Sequence, residues 1–225
     1  MAEADGAIWL AGASRGVGYE IARCLRAQGQ PVYALLRSQQ AQPELEVMGL
    51  SVTVGDALDR QAVMQALTAS GPVRAVISTI GGSPQDEQRP DRAGNRNLID
   101  AAVQAGAERF ILISSIGSGE SQQALPQRAL EALGPVLADK EQAERHLIAS
   151  GLPYTIIRPG GLSSEPATDR GILTESAAVA GSITRADVAR LVCRGWNADL
   201  TRNRVLAVID RDTAYGDPNF EVLPL

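Results

Sequence analysis

Residues 9–25 read WLAGASRGVGYEIARCL, with Gly12, Gly16 and Gly18 between an apolar run and a stretch whose apolar positions recur at helical spacing. The run ahead of them, Ala7–Ala11, is continuously apolar, the pattern of a strand covered on both faces. Glycines in a strand-to-helix turn let the backbone bend without a Cβ in the way, and the helix start then aims free N–H groups at whatever lies above. The spacing here is GxxxGxG. Gly12 reads as the tight turn, Gly16 as the point where backbone meets a pyrophosphate, and Gly18 as the close approach of helix to sheet. Ser14 and Val17 complete the cradle. A strand before and a helix after form the context that turns a glycine triplet into a phosphate site.

The same alternation continues along the chain. Apolar runs at Ala7–Ala11, Val32–Leu36, Ser51–Val54, 74–80, 110–115, 154–158 and 205–209 read as strands. Helical patterns fill 17–28, 60–69, 93–105 and 139–149, and Thr184 with Asp187 reads as a capping box opening a further helix. Such alternation predicts an α/β fold: a doubly wound parallel sheet of Rossmann type, a single domain over 1–225, its seven strands in the order 3-2-1-4-5-6-7. Residues 117–135 and 163–182 are expected as small substrate loops, and 215–225 as a loosely docked extension.

Composition removes several function classes. The 225 residues are 44% hydrophobic and 21% charged, with a formal charge of -5, which argues against a phosphate-gripping nucleic-acid surface. No apolar run approaches the roughly 18 residues of a membrane span, and residues 1–6 lack the pattern of an export signal. Cys24 and Cys193 lie far apart in sequence and read as buried thiols of a reducing compartment, with no metal site expected. The expected location is the cytoplasm.

Arg37 ends the second strand, where an NAD-binding chain carries a carboxylate for the ribose 2′-hydroxyl. An arginine cannot accept that hydrogen bond but pairs with a 2′-phosphate. Arg15 in the glycine loop and the hydroxyl of Ser38 are placed to help, so NADP(H) is expected over NAD(H).

With these residues in hand, the chain resembles the short-chain dehydrogenase/reductases. GASRGVG matches the nucleotide loop of the main subgroup. The remaining markers are similar to the atypical subgroup that includes biliverdin-IXβ/flavin reductases and NmrA-type sensors. They are Gly55-Asp56, Ile80-Gly81-Gly82, the run NLIDAA from Asn97, FILISS ending in Ser114 and Ser115, Lys140, and the run from Tyr154 through Arg158 to Leu162. The resemblance implies that Asp56 holds the adenine amino group with Ala57 packed beside it. It implies that Thr79, Ile80, Gly81 and Gly82 lie along the adenosine ribose, with Ser114 and Ser115 toward the nicotinamide. Lys140 would bridge the nicotinamide ribose hydroxyls, and Pro159, Gly160, Gly161 and Leu162 would cover the carboxamide. Ser115 and Lys140 are then the catalytic candidates. Taken singly, Asp56 equally suits a helix cap, the two serines suit strand-end turns, and Lys140 suits a surface pair with Glu144.

One position departs from the pattern. Most family reductases use Tyr-x-x-x-Lys, which sets a proton-donating phenol one helical turn before the lysine. Here that turn reads VLADK, with Val136 in place of the tyrosine. Tyr154 begins a strand and reads as packing, and His146 falls six residues past Lys140, on another helical face. Two functions stay open on sequence alone. One is an NADPH-dependent reductase of an acceptor that needs little enzymatic acid, such as a flavin or linear tetrapyrrole. The other is a non-catalytic NADP(H)-binding redox sensor or assembly factor. A monomer or weak homodimer is expected in either case.

Overall fold

The structure, a computed structural model, describes residues 6–225; residues 1–5, part of the stretch read for an export signal, lie outside it. The principal strands are β1 (Ala7–Ala11), β2 (Val32–Leu36), β3 (Ser51–Val54), β4 (Val73–Ser78), β5 (Phe110–Ile113) and β6 (Tyr154–Pro159). Beyond them come β7 (Gly161–Ser163), β8 (Gly171–Thr174), β9 (Val179–Ala180), β10 (Ser182–Thr184), β11 (Arg204–Asp210) and β12 (Tyr215–Gly216). The helices are α1 (Gly16–Ala27), α2 (Gln42–Val47), α3 (Arg60–Thr68), α4 (Ala93–Gln104), α5 (Gln127–Ala149) and α6 (Arg185–Gly195).

The main sheet runs β3-β2-β1-β4-β5-β6-β11-β8. Its first seven strands are parallel and stand in the expected order, and β8 closes the far edge antiparallel to β11. Alternation along each strand divides the core. Ile8 and Leu10 of β1, Ile111 and Ile113 of β5 and Ile157 of β6 face a layer formed by α1 and α6. Trp9, Ala11, Phe110, Leu112 and Ile156 face the opposite layer of α3, α4 and α5. A continuously apolar strand is what two covered faces require.

The differences from expectation have identifiable causes. The eighth strand comes from inside the expected loop 163–182: its four residues are too few for periodicity to register, and pairing with β11 makes them a strand. Residues 117–135 are not an open loop either, because a 3₁₀ turn over Gly119–Ala124 leads into α5, which starts at Gln127 and continues through Pro135. Pro135 and Glu131, the residue whose carbonyl the proline leaves without an N–H, are both exposed, so water can satisfy that carbonyl. The tail is docked. Tyr215–Gly216 pairs with Val179–Ala180, Leu223 donates to the Leu173 carbonyl at 2.8 Å, and Phe220 packs on a third core of Ile116, Ile172, Val179 and Ile209.

The capping box forms in a different way. Thr184 caps α6 by accepting from Asp187 N–H at 3.0 Å, but the Asp187 carboxylate does not reach back to the Thr184 backbone. Thr184 is paired in β10, and the buried carboxylate instead accepts from the Thr184 hydroxyl (2.7 Å), the Thr168 N–H (2.8 Å) and hydroxyl (3.1 Å), and the Asp169 N–H (3.1 Å). It therefore anchors the segment ahead of β8 as well as the helix start. Replacing Asp187 with Ala strands three donors, the Thr184 hydroxyl and the Thr168 and Asp169 N–H groups, while the Thr168 hydroxyl keeps Asp210 at 2.5 Å. Asp187→Ala is therefore expected to lower the unfolding free energy by about 3 kcal/mol in urea denaturation. Asp187→Asn, which keeps one acceptor oxygen, should fall between that variant and the parent.

Candidate functional site

All six parallel strands from β3 to β6 end on one edge of the sheet, and their following loops carry the residues singled out from the sequence. At the centre, Gly12 takes φ +91, and an added Cβ would run into Thr79 Oγ1. A Cβ on Gly18 would collide with the Gly12 carbonyl. The Thr79 hydroxyl hydrogen-bonds to the carbonyls of Ala11 and Gly12, both at 3.1 Å. These two glycines thus seat α1 on the sheet edge. Gly16 differs: at φ +61 it opens α1, and the nearest atoms to an added Cβ belong to the side chain of Arg185, 3.6 Å away. The first turn of α1 holds no acid, and no side chain caps it. An open glycine at a helix start free of carboxylates fits a pyrophosphate.

Neighbouring loops line the same edge of the sheet. Register pairing of Ala11 with Leu35 sets the loop bearing Arg37 and Ser38 beside the one bearing Ser14 and Arg15, and all four residues are exposed. After β3, Asp56 accepts from Leu58 N–H at 2.9 Å, while the cap of α3 is Asp59, bonded to Gln61 and Ala62 N–H. Ala57 is buried, and its carbonyl accepts from Asn97 Nδ2 at 2.9 Å.

After β4, Thr79 is committed beneath the glycine loop, and Ile80, Gly81 and Gly82 continue along the edge. The arrangement around them turns on Asp91, a residue the sequence reading missed. Asp91 is fully buried. One of its oxygens accepts from Gly82 N–H at 2.7 Å, and the other lies 3.0 Å from Lys140 Nζ. A Cβ on Gly81 would stand 2.9 Å from that second oxygen and 3.3 Å from Lys140 Nζ. The backbone of Asp91 is tied in turn, through Asn95 Nδ2 (2.7 Å), to the Ser78 hydroxyl on Asn95 Oδ1 (2.5 Å). An aspartate just ahead of a helix reads from sequence as a cap, so nothing local marked it as the partner of a lysine 49 positions on.

Lys140 does not form the surface pair with Glu144. Glu144 is buried and accepts from the Ser114 hydroxyl and from Arg158, whose Nη2 lies 2.6 Å away. Ser114 is thereby turned into the interior, while Ser115 stands half-exposed at the edge with its hydroxyl on the Ile116 carbonyl at 2.9 Å. Burial works against the charge on Arg158, but Glu144 and Glu120 outweigh it and hold the guanidinium protonated more firmly than usual. The same hydrogen bond from Arg158 pulls the Glu120 carboxyl below its ordinary range. At the end of β6, Pro159 is buried, Gly160 passes against the Gly181 carbonyl, and Gly161 and Leu162 face outward. Val136 is buried one turn before Lys140, so no phenol stands there. Tyr154 lies at the opposite end of β6, Asp139 is paired with Arg89 at 2.7 Å, and His146 with Asp100 at 2.7 Å.

The chain matches the NAD(P)H-binding family over residues 12–197. It belongs to that family. Among solved structures it is similar to the anaerobillin reductase ChuY of Escherichia coli O157:H7, at 35% identity and a TM-score of 0.84, covering 94% of this chain and 99% of that one. It is 33% identical to YhfK of Bacillus subtilis, named an uncharacterized sugar epimerase, over 93% of this chain and 97% of that protein. It is 31% identical to the chloroplastic protein TIC 62 of Pisum sativum over 97% of this chain, which spans 46% of that protein's length. These findings agree with the resemblance to short-chain dehydrogenase/reductases and with a nicotinamide cofactor.

The two thiols, distant in sequence, meet where α1 packs on α6. Cys193 is buried, its Sγ 3.8 Å from the Ile21 carbonyl, and Cys24 is half-buried; the neighbouring Cys193 thiol lowers Cys24 to about 7, against the opposing effect of burial. Cys193 is pushed up by the neighbouring Cys24 and by burial. Because the thiolate is the nucleophile, alkylation of Cys24 by iodoacetamide should rise with pH through a midpoint near 7, and Cys193→Ala should move that midpoint up toward an ordinary thiol. A second outcome concerns Asp91. Asp91→Ala leaves Lys140 without its counter-ion and is expected to cost about 3 kcal/mol in urea denaturation. Asp91→Asn should cost less, since its amide oxygen still accepts from Gly82 N–H.

Proposed function

We propose that this protein is an NADPH-dependent reductase of a flat conjugated acceptor, of the linear tetrapyrrole or flavin class. The observation that carries the reading is the buried Val136 one turn before a lysine paired with Asp91. That pair of features suits an acceptor whose reduction draws little on an enzymatic acid. Similarity to a protein named an anaerobillin reductase favours the tetrapyrrole class over the flavin class.

Each residue has a task in this reading. The N–H groups at Gly16, Val17 and Gly18 receive the pyrophosphate, and Gly12 and Ser14 shape the turn that presents them. Arg15, Arg37 and Ser38 take the 2′-phosphate and set the preference for NADPH. Asp56 and Ala57 hold the adenine, and residues 79–82 line its ribose. Asp91 directs the Lys140 ammonium toward the second ribose, and residues 159–162 cover the carboxamide. Ser115 stands nearest the reacting face, with Ser114 fixing the strand end behind it. When bound, the reduced nicotinamide supplies the hydride, and the chain's work is to orient it and the acceptor.

The test mixes the protein with NADPH and biliverdin or FMN and follows the nicotinamide absorbance. Turnover is expected with biliverdin, falling about tenfold or more in Lys140→Ala and in Ser115→Ala. NADPH should bind about tenfold more tightly than NADH, and Arg37→Ala should erase the difference. Intact NADPH binding with no oxidation across tetrapyrroles, flavins and quinones would overturn the reductase in favour of a redox sensor or assembly factor.

A further inference from the structure

Arg185 opens α6, a helix whose start is set by the Thr184 cap and whose Val188 and Val192 pack in the same core as Ile21 and Leu25 of α1. Its side chain leaves that packed base and runs between the glycine loop and the segment that follows β6. Nη1 reaches Ser164 Oγ at 3.0 Å and the Leu162 carbonyl at 3.4 Å. Nε and Cδ pass 3.6 and 3.8 Å from the place where a Gly16 Cβ would stand. One guanidinium thus spans the glycine loop on one side and the segment after β7 on the other.

The electrostatics of this placement call for an anion. A helix start carries partial positive charge and is stabilised by carboxylates, not cations. The first turn of α1 has no acid, its N-cap is Arg15, and Arg185 brings a second cation to the same end. The polar contacts of Arg185 are a hydroxyl and a carbonyl, and among the described residues no carboxylate lies within ion-pair distance of it. A guanidinium held at the positive end of a helix is repelled by it unless negative charge lies between them. A diphosphate in the Gly16 cradle would supply that charge, and a guanidinium binds phosphate oxygens in pairs.

We propose that Arg185 is a diphosphate clamp: it binds the pyrophosphate bridge of the dinucleotide and, through Ser164, holds the 162–164 segment down over the groove. The proposal rests on the reading of the glycine loop as the pyrophosphate cradle. It adds a cation to the site from α6, an element to which neither the glycine motif nor the strand-end markers assign a role in binding.

The test uses Arg185→Gln with three probes in isothermal titration: NADPH, ADP and 2′-AMP, the last lacking a diphosphate. Arg185→Gln should weaken NADPH and ADP about tenfold or more and leave 2′-AMP within about twofold of the parent. Arg37→Ala should show the reverse selectivity, weakening 2′-AMP and leaving ADP nearly unchanged. Thermal melts add a readout that a purely structural role would not produce: ligand-free Arg185→Gln should melt no lower than the parent, because a repulsive cation is gone, while its NADPH-induced rise in Tm shrinks. Ser164→Ala should keep most ADP affinity, since the guanidinium remains. Unchanged NADPH and ADP affinity in Arg185→Gln would overturn the clamp and leave the cradle standing, as would an equal loss for all three probes. A parent protein that binds neither NADPH nor ADP would overturn the cradle and the clamp together.

Discussion

The site depends on a contact of a few ångströms beneath the glycine loop. The Thr79 hydroxyl bonds to the Ala11 and Gly12 carbonyls, and Gly18 lies against the Gly12 carbonyl with no room for a Cβ. This locks the end of β1, the end of β4 and the first turn of α1 into one rigid corner. With the corner closed, the N-terminus of α1 can point only along the edge where the other strand ends lie. The direction of the helix dipole, the openness of Gly16 and the reach of Arg185 all follow from that seating.

Around the corner, charge is organised by burial. Lys140 and Arg158 approach the edge from α5 and β6, and each is matched by a carboxylate that is almost wholly out of water, Asp91 for one and Glu144 for the other. Buried pairs of this kind contribute little net stability, because desolvation offsets attraction, but they fix geometry firmly since either partner alone is costly. Lys140 is therefore held in place instead of sampling solvent. Arg15, Arg37 and the half-exposed Arg185 are left at the rim, where a phosphorylated ligand can meet them.

Much of this was legible in the sequence for a physical reason. Strands covered on both faces must be continuously apolar, so β1 and β2 stood out with their bounds intact, while the half-exposed edge strand β3 was marked by its β-branched Val52, Thr53 and Val54; the glycine triplet had to sit between a strand and a helix to make sense. Other features were not legible. The four residues of β8 carry no period of their own and become a strand only because β11 offers an edge. The first turns of α5 were hidden by Gly134 and Pro135, which read locally as a break. Asp91, the Cys24–Cys193 contact and Arg185 were missed because each depends on a partner 49 or more positions away, and spacing rules see only neighbours a few residues apart.

The sequence by itself determined the doubly wound sheet, the glycine-opened start of α1 at Gly16, the cationic character of the β2 end and the presence of Val136 where a tyrosine would stand, because these are properties of residue type at short range. Tertiary structure alone decided which carboxylate meets Lys140, which way Ser114 turns, and that Arg185 crosses to the glycine loop. Those outcomes are set by the packing of α4, α5 and α6 against the sheet, where the cost of an unpaired buried charge selects among partners that the linear chain leaves equivalent.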